Sequence, residues 1–223
     1  MKTVLVTGAN RGIGLALTRR FTGRGDRVIA VCRHGSPELD ATGAQVEPGI
    51  DVSDDAALAA LAQRLADIRI DVLVLNAGIL GNESLGSIDD AGFDSMRRQF
   101  EINTLGPLRV VQALSDRLGE GAKIGIVTSR MGSVADNGSG GYYGYRASKA
   151  AVNAVGKSLA LDLRPRGIAV FLLHPGYVAT DMVGGTGDVS PDQSAAQLVE
   201  RLDTLALDQS GTFWHANGSP LPW

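Results

Sequence analysis

The segment KTVLVTGANRGIG, residues 2–14, places a short apolar run directly before a cluster of glycines. Residues 2–7 are largely β-branched and apolar, a composition that predicts a β-strand. After Gly14, apolar residues recur with helical spacing until Gly23 and Gly25 interrupt them, and this periodicity predicts a helix over 12–22. The segment therefore predicts a strand, a glycine turn and a helix in immediate succession.

The three glycines of this turn indicate a site for the phosphates of a dinucleotide. Gly8 suits a tight turn, Gly12 lets the backbone approach a pyrophosphate, and Gly14 lets helix and strand pack closely. The helix N-terminus adds free N–H groups and the positive end of its dipole. A glycine loop alone is more often only a turn, and the spacing here is Gly-x-x-x-Gly-x-Gly rather than Gly-x-Gly-x-x-Gly. The position between the first strand and the first helix nevertheless favours the phosphate site.

The remaining chain repeats the alternation of strand and helix. We predict helices over 12–22, 54–67, 91–118, 143–162 and 192–205, and strands over 2–7, 27–32, 45–47, 71–75, 123–128, 168–173 and 212–214. Several of these strands are almost continuously apolar, as expected for strands covered on both faces. Alternating strands and helices predict a parallel sheet with right-handed crossovers. We therefore expect residues 1–223 to form one α/β domain, a Rossmann-type doubly wound parallel sheet of about seven strands with helices on both faces.

Composition limits the classes of partner. The formal net charge is −3, charged residues make up 20% of the chain, and no block of like charge suggests nucleic acid or anionic lipid. No apolar run approaches the roughly 18 residues of a membrane span, and a first strand beginning at residue 2 leaves no room for a signal peptide. The single cysteine, Cys32, suits a reducing compartment, and three scattered histidines lack metal-ligand spacing. We expect a cytoplasmic protein without a metal, a nucleic-acid partner or a membrane partner.

Tyr145 and Lys149 are four residues apart on a predicted helix, so their side chains share one face. A phenol normally keeps its proton up to a pH of about 10. An ammonium about 4 Å away, at an effective dielectric constant near 20, is worth roughly 4 kcal/mol, or about three pKa units at most. This pair therefore predicts a tyrosine able to exchange a proton with a carbonyl or alcohol oxygen near neutrality. Tyr and Lys at this spacing are also common on exposed helix faces, so the pair alone does not establish this role.

Several motifs in order along the chain resemble the short-chain dehydrogenase/reductase superfamily. They are residues 7–14 at the glycine turn, Asp51-Val52, Asn76-Ala77-Gly78, Asn103, Ser129, Tyr145 with Lys149, and Pro175-Gly176 through Thr180. The resemblance covers nearly the whole chain. Residues 131–137, 140–143 and 219–223 resemble the C-factor or Sniffer-like carbonyl-reductase branch of that superfamily.

The resemblance implies hydride transfer between a nicotinamide and a carbonyl or alcohol. It makes Tyr145 the general acid and base, and Ser129 a hydrogen-bond donor to the same substrate oxygen. Lys149 would lower the Tyr145 pKa and hold the coenzyme ribose, and Asn103 would anchor a water that links Lys149 to solvent. The alternatives are that Asn103 bridges the backbone at a helix kink and that Ser129 is an ordinary turn serine.

The resemblance also implies the coenzyme contacts. They are Gly8, Asn10, Arg11, Gly12, Ile13, Gly14, Asp51, Val52, Asn76, Ala77, Gly78, Tyr145, Lys149, Pro175, Gly176, Val178 and Thr180. An NAD-specific site normally carries an acidic residue at the end of the second strand, whereas this strand ends Val31-Cys32-Arg33. Arg33, helped by Arg11, would bind a 2′-phosphate. We therefore expect NADP(H) to be preferred and NAD(H) to be possible; the alternative is that both arginines are solvated loop charges.

Two serines compete for the catalytic position. Ser129 precedes Tyr145 by 16 positions and Ser133 precedes it by 12, and the shorter interval is closer to that of the family. Ser129, however, directly follows the predicted fifth strand, where a group that binds the substrate oxygen must lie. We therefore predict Ser129, with the additional length taken up by the glycine-rich loop at 136–143.

Two classes of function follow. The first is an NADP-dependent carbonyl reductase or alcohol dehydrogenase acting on a small molecule, and the second is a coenzyme-binding signalling or regulatory protein with weak catalysis. The intact set of Asn103, Ser129, Tyr145 and Lys149 favours the enzyme. The resemblance further implies a homodimer or homotetramer.

Overall fold

A computed structural model describes residues 1–223. Its centre is a seven-stranded sheet in the order β3-β2-β1-β4-β5-β6-β7, in which all neighbouring strands are parallel. The strands are β1 (Thr3–Thr7), β2 (Arg27–Val31), β3 (Gln45–Glu47), β4 (Ile70–Leu75), β5 (Leu118–Val127), β6 (Ala169–His174) and β7 (Thr212–His215). The helices are α1 (Gly12–Gly23), α2 (Pro37–Asp40), α3 (Asp55–Arg64), α4 (Asp90–Phe100), α5 (Gly106–Leu114), α6 (Tyr143–Leu163) and α7 (Pro191–Thr204).

The sheet separates two apolar cores. Alternate residues of each strand face opposite sides, so Leu5 of β1 joins one core and Val4 the other. The first core includes Leu61 of α3 and Val152 of α6, whereas the second includes Phe21 of α1 and residues of α7. The prediction of a single doubly wound parallel sheet with helices on both faces is confirmed.

The strand order reverses between β1 and β4. From β1 the chain moves outward through β2 and β3, and it then returns to the other side of β1 to continue through β4 to β7. Two diverging connections leave a crevice at the carboxyl ends of these two central strands, where open α/β sheets bind ligands.

The helix predicted over 91–118 is interrupted, and this part of the prediction was wrong. A wider π-helical turn at Glu101–Leu105 separates α4 from α5, and β5 begins at Leu118 rather than at residue 123. Pro107 has no N–H to donate to the carbonyl of Asn103, four residues earlier, so a regular α-helical bond is impossible there. Such bulges are frequent at functional sites, and this one contains Asn103.

None of the helices combines the length and the apolar character needed to cross a lipid bilayer. No group of three or more histidine, cysteine, aspartate or glutamate side chains is arranged to hold a metal ion.

Candidate active site

The ends of β1 and β4 are fastened together by side chains. The Thr7 hydroxyl accepts hydrogen bonds from the backbone N–H groups of Asn76 (3.0 Å) and Ala77 (3.2 Å). The Asn76 amide Nδ2 in turn donates to the carbonyl oxygens of Thr7 (3.1 Å) and Gly8 (3.2 Å). The turn between β1 and α1 therefore has a fixed position relative to β4.

The glycine turn is packed too tightly for side chains at two positions. Gly8 has φ +66°, and a Cβ there would lie 2.9 Å from Cα of Ala77. A Cβ on Gly14 would overlap the carbonyl oxygen of Gly8 and the Asn76 amide. Glycine is therefore required at both positions, and the backbone at the start of α1 stays open to a phosphate group.

Two adjoining clefts lie over the crevice. The first has a volume of about 350 Å³. Of the predicted coenzyme residues it brings together Gly8, Asn10, Arg11, Gly12, Ile13, Arg33, Asp51, Val52, Asn76, Ala77, Gly78 and Thr180. Gly14 lies outside its lining and packs against the turn. His34, Ile50, Ile79 and Ile102 also line this cleft, and sequence reasoning missed them.

The second cleft has a volume of about 870 Å³. It contains Ser129, Tyr145 and Lys149, together with Pro175, Gly176 and Val178 from the loop after β6. Ile13, Thr180 and Met182 line both clefts, so the two clefts adjoin. Three of the predicted catalytic residues, Ser129, Tyr145 and Lys149, therefore lie next to the first cleft, whereas Asn103 lines neither cleft.

Burial raises the pKa of Tyr145, and a hydrogen bond with the Ser129 side chain acts in the opposite direction. Burial also lowers the pKa of Lys149, to about 8. The Lys149 ammonium lies 5.8 Å from the centroid of the Tyr145 ring and donates to the carbonyl oxygen of Val127. The expected lowering of the Tyr145 pKa by Lys149 is therefore absent from this structure. The reason is that removal from water disfavours both phenolate and ammonium.

Asn103 is held entirely by protein groups. Its Oδ1 accepts from the backbone N–H of Ile79 (2.8 Å), and its Nδ2 donates to the carbonyl oxygen of Ile79 (2.9 Å) and the Ser148 hydroxyl (3.1 Å). The side chain thus links the π-helical turn to the segment after β4 and to α6. This arrangement matches the alternative role considered for Asn103, which bridges backbone groups at a helix kink. A role of Asn103 in proton transfer stays a prediction.

The two candidate serines are in different surroundings. Ser129 lines the second cleft and accepts a hydrogen bond from the backbone N–H of Met131 (3.1 Å). Ser133 is outside that lining. Its hydroxyl donates to the carbonyl oxygen of Trp223 (3.1 Å) and accepts from the backbone N–H of Asp136 (3.1 Å). Ser129 is therefore the serine placed beside Tyr145, and Ser133 ties its loop to the C-terminal residue.

The charges of the first cleft are partly paired. The Asp51 carboxylate accepts from the Arg98 guanidinium (3.1 Å) and the Ser53 hydroxyl (2.6 Å), and Arg33 approaches it at 4.0 Å. Although burial acts to raise it, hydrogen bonds from Ser53 and the charges of Arg98 and Arg33 hold the pKa of Asp51 below its usual range. Because Arg98 satisfies the carboxylate at the shorter distance, the half-exposed Arg33 remains available to a ligand.

One buried carboxylate at the start of α6 had no signal in the sequence. Glu83 accepts hydrogen bonds from the backbone N–H of Gly144 (3.1 Å) and from the Gln99 amide (2.6 Å). Its own carbonyl oxygen accepts from the N–H of Tyr142 (2.9 Å), which has φ +52°. Glu83 therefore fixes the first turn of the helix that carries Tyr145. Sixty-one positions separate it from Gly144, so no local pattern could have indicated it.

Comparison with known proteins agrees with this geometry. Residues 2–190 match the family model described as short chain dehydrogenase. The chain therefore belongs to the short-chain dehydrogenase family and is an oxidoreductase, as its sequence resemblance implies.

A relative and two solved structures resemble the full chain. The 1-hydroxy-2-glutathionyl-2-methyl-3-butene dehydrogenase of Rhodococcus sp. (strain AD45) is 46% identical over 229 residues, covering 100% of both proteins. The carbonyl reductase Sniffer of D. melanogaster has a TM-score of 0.90 at 29% identity, covering 100% of both chains. An NADPH-bound carbonyl reductase from chicken fatty liver has a TM-score of 0.89 at 29% identity, covering 100% of this chain and 99% of that chain. The resemblance to the Sniffer-like branch is confirmed, while the cytoplasmic location and the homo-oligomer stay predictions.

Proposed function

We propose that this protein is an NADP(H)-dependent carbonyl reductase or alcohol dehydrogenase in which Tyr145 transfers the proton. The observation that carries the proposal is that the two clefts adjoin at Ile13 and Thr180, with Tyr145 and Ser129 in the lining of the second cleft. A dinucleotide bound along the first cleft would end beside those two hydroxyl groups.

The first cleft fits a dinucleotide coenzyme by its shape and its charge. Residues 8–14 provide backbone without side chains at the start of α1, and a Cβ on Gly14 would fill that space. Arg33 adds positive charge to the cleft, and Arg11 adds a second guanidinium that lies 3.7 Å from the Asp181 carboxylate. When bound, the nicotinamide supplies the hydride. Lys149 and Tyr145 would hold its ribose, and residues 175–180 would flank the ring.

Side chains of the protein carry out the proton transfer. In reduction, the Tyr145 hydroxyl donates its proton to the substrate oxygen while the Ser129 hydroxyl donates a hydrogen bond to the same atom. In oxidation, Tyr145 accepts the proton of the alcohol. Burial raises the pKa of Tyr145 and so stabilises the protonated phenol, the form that donates a proton in reduction.

Preference for NADP(H) is supported by the charge at the end of β2. Arg33 follows that strand where an NAD-specific site carries an acid, and it lines the first cleft together with Arg11. The chicken carbonyl reductase of similar fold is bound to NADPH. We propose that Arg33 and Arg11 contact the 2′-phosphate.

The Rhodococcus relative is named for a hydroxylated butene that carries a glutathionyl group. We therefore include hydroxylated thioether conjugates among the candidate substrates of this protein. The volume of the second cleft, about 870 Å³, is within the range that accommodates molecules larger than simple aldehydes.

The experiment is NADPH oxidation by the purified protein with a panel of aldehydes, ketones and quinones, and NADP reduction with glutathionyl alcohols. We expect turnover with members of the panel and its loss in Tyr145→Phe. Tight coenzyme binding with no turnover on any compound would instead support the coenzyme-binding regulatory protein.

A further inference from the structure

We infer that Arg146 and Arg130 form an anion-binding subsite in the second cleft, and that the substrate is a carbonyl compound or alcohol carrying a carboxylate. This inference rests on the proposed function and specifies the chemistry of its substrate. Both guanidinium groups line the same cleft as Tyr145 and Ser129, and neither lines the first cleft.

Arg146 follows Tyr145 on α6 and is held in place by three neutral acceptors. Its Nε donates to the carbonyl oxygen of Gly140 (3.2 Å), its Nη1 to the carbonyl oxygen of Met131 (3.4 Å), and its Nη2 to the Ser139 hydroxyl (2.8 Å). No carboxylate lies within ion-pair distance of Arg146. Since a guanidinium has five N–H donors, two remain without a protein acceptor. The group is therefore oriented by the loop while its charge stays uncompensated.

Arg130 is the second guanidinium of the subsite. Its Nε donates to Oδ2 of Asp136 at 2.7 Å. The two terminal amino groups, which form the flat edge that binds carboxylates in pairs of hydrogen bonds, have no protein acceptor. Asp136 thus fixes one side of Arg130 and leaves the other side open.

The charge balance of the second cleft favours an anionic substrate. Its lining includes the cations Arg130, Arg146 and Lys149, with Asp136 as the one carboxylate. Burial and the nearby charges of His215 and Arg130 lower the pKa of His174 to about 3, so this fourth basic side chain is neutral at physiological pH. The coenzyme needs no positive charge from Arg146 or Arg130, because its phosphates belong to the first cleft. A carboxylate on the substrate would pair the charge that the protein leaves unpaired.

Two N–H groups at the start of α6 already have acceptors within the protein. The N–H of Gly144 is already bonded to the Glu83 carboxylate, and that of Tyr142 to the carbonyl oxygen of Glu83. Substitution of the arginines therefore tests the subsite directly.

The test compares aldehydes that differ in charge alone. The probes are succinic semialdehyde, adipic semialdehyde and para-carboxybenzaldehyde, each beside its uncharged carboxamide, with NADPH oxidation as the readout. For at least one pair, the native enzyme should show a kcat/KM for the carboxylate about tenfold or more above that for the carboxamide. Arg146→Gln should lower this ratio by about tenfold to a hundredfold, mainly through KM, as expected for a lost charge-assisted hydrogen bond. Arg146→Lys should restore part of it.

One further variant is expected to raise the ratio of kcat/KM for the carboxylate over that for the carboxamide. Asp136→Asn removes the carboxylate that competes for Arg130, so it should raise the ratio, whereas Arg130→Gln should lower it. Arg19→Gln removes a positive charge from an exposed position outside both clefts and should leave the ratio unchanged. The preference should also weaken as salt rises, because the subsite is partly exposed.

The outcomes separate this inference from the proposed function. Reduction of the carboxamides without any preference for the carboxylates overturns the subsite and leaves the carbonyl reductase in place. If Arg146→Gln lowers kcat/KM equally for the carboxylate and the carboxamide of a pair, Arg146 only supports the loop. This result also overturns the subsite. Absence of turnover on every carbonyl compound overturns the proposed function and this inference together.

Discussion

The Lys149 ammonium donates a hydrogen bond to the carbonyl oxygen of Val127 at 3.0 Å. Val127 is the last residue of β5, and Ser129 follows two positions later. The bond therefore fastens the helix that carries Tyr145 to the strand that precedes Ser129. Because the ammonium is buried, with its pKa lowered to about 8, the same side chain also carries an energetic cost.

Lys149→Met should stabilise the fold at pH 7 and abolish most of the reductase activity. Between a folded pKa of about 8 and an unfolded pKa of about 10.4, the unfolded chain binds more protons, so the native protein gains stability as pH rises through this window. Below this pH window, burial of the charged Lys149 ammonium destabilises the native state by its full amount, roughly 3 kcal/mol at most. The hydrogen bond to Val127 offsets about 1 kcal/mol of this cost. We expect a gain of about 1–2 kcal/mol at pH 7 and a smaller gain near pH 9.5 in urea unfolding. A less stable variant at pH 7 would show that the Val127 bond outweighs desolvation.

Tyr145→Phe should remove most carbonyl reduction and leave the dissociation constant of NADPH within a few-fold of the native value. The phenol is required for proton transfer, whereas the ring and Lys149 still shape the ribose contact. Steady-state kinetics and coenzyme fluorescence titration measure the two effects separately. Turnover close to that of the native protein would exclude Tyr145 as the acid.

Ser129→Ala should lower turnover by about 10²–10³-fold, the cost of deleting a donor to developing oxyanion charge. Ser133→Ala is the matched control, with nearly native turnover, because Ser133 does not line the second cleft and its hydroxyl bonds only to backbone groups of Trp223 and Asp136. It should instead lose about 1 kcal/mol of stability through those bonds. Were turnover lost in Ser133→Ala and kept in Ser129→Ala, the catalytic assignment would pass to Ser133.

Arg33→Ala should weaken NADPH binding by about tenfold to a hundredfold, the usual range for charge-assisted hydrogen bonds. Binding of NADH should hardly change, since it has no 2′-phosphate. Isothermal titration with both coenzymes gives the comparison. Arg97→Ala is a suitable control because Arg97 is exposed and pairs only with Asp94. Unchanged NADPH affinity in Arg33→Ala would mean that Arg33 is a solvated loop charge.

Glu83→Ala should destabilise the fold by about 2–4 kcal/mol, since it leaves the buried Gly144 N–H without its acceptor and removes the shortest hydrogen bond of the Gln99 amide. It should also lower kcat more than it raises the KM for NADPH, because the first turn of α6 positions Tyr145. Glu83→Gln keeps one acceptor and should recover part of both losses, and Glu38→Gln on the exposed α2 should match the native protein. If Glu83→Ala remained fully active, α6 would hold its position without this contact.

Local patterns in the sequence determined much of the fold and part of the site. Gly8, Gly12 and Gly14 indicated the turn because a backbone that admits no side chain must carry glycine there. The apolar strands indicated a sheet covered on both faces, since burial selects residue type along each strand. Tyr145 and Lys149 indicated a shared helix face because helical spacing alone brings them together.

Tertiary structure decided what depends on burial and on contacts between distant residues. The rise of the Tyr145 pKa, the bonds of Asn103 to Ile79 and Ser148, and the bond that Glu83 accepts from Gly144 all arise from packing between elements far apart in the chain. Arg130 and Arg146 enter one cleft because the loop at 130–142 folds back onto α6. The sequence specifies which charged residues the chain contains, but their solvation and their neighbours depend on the folded structure. Solvation and neighbours in turn set the pKa values and leave unpaired positive charge in the second cleft.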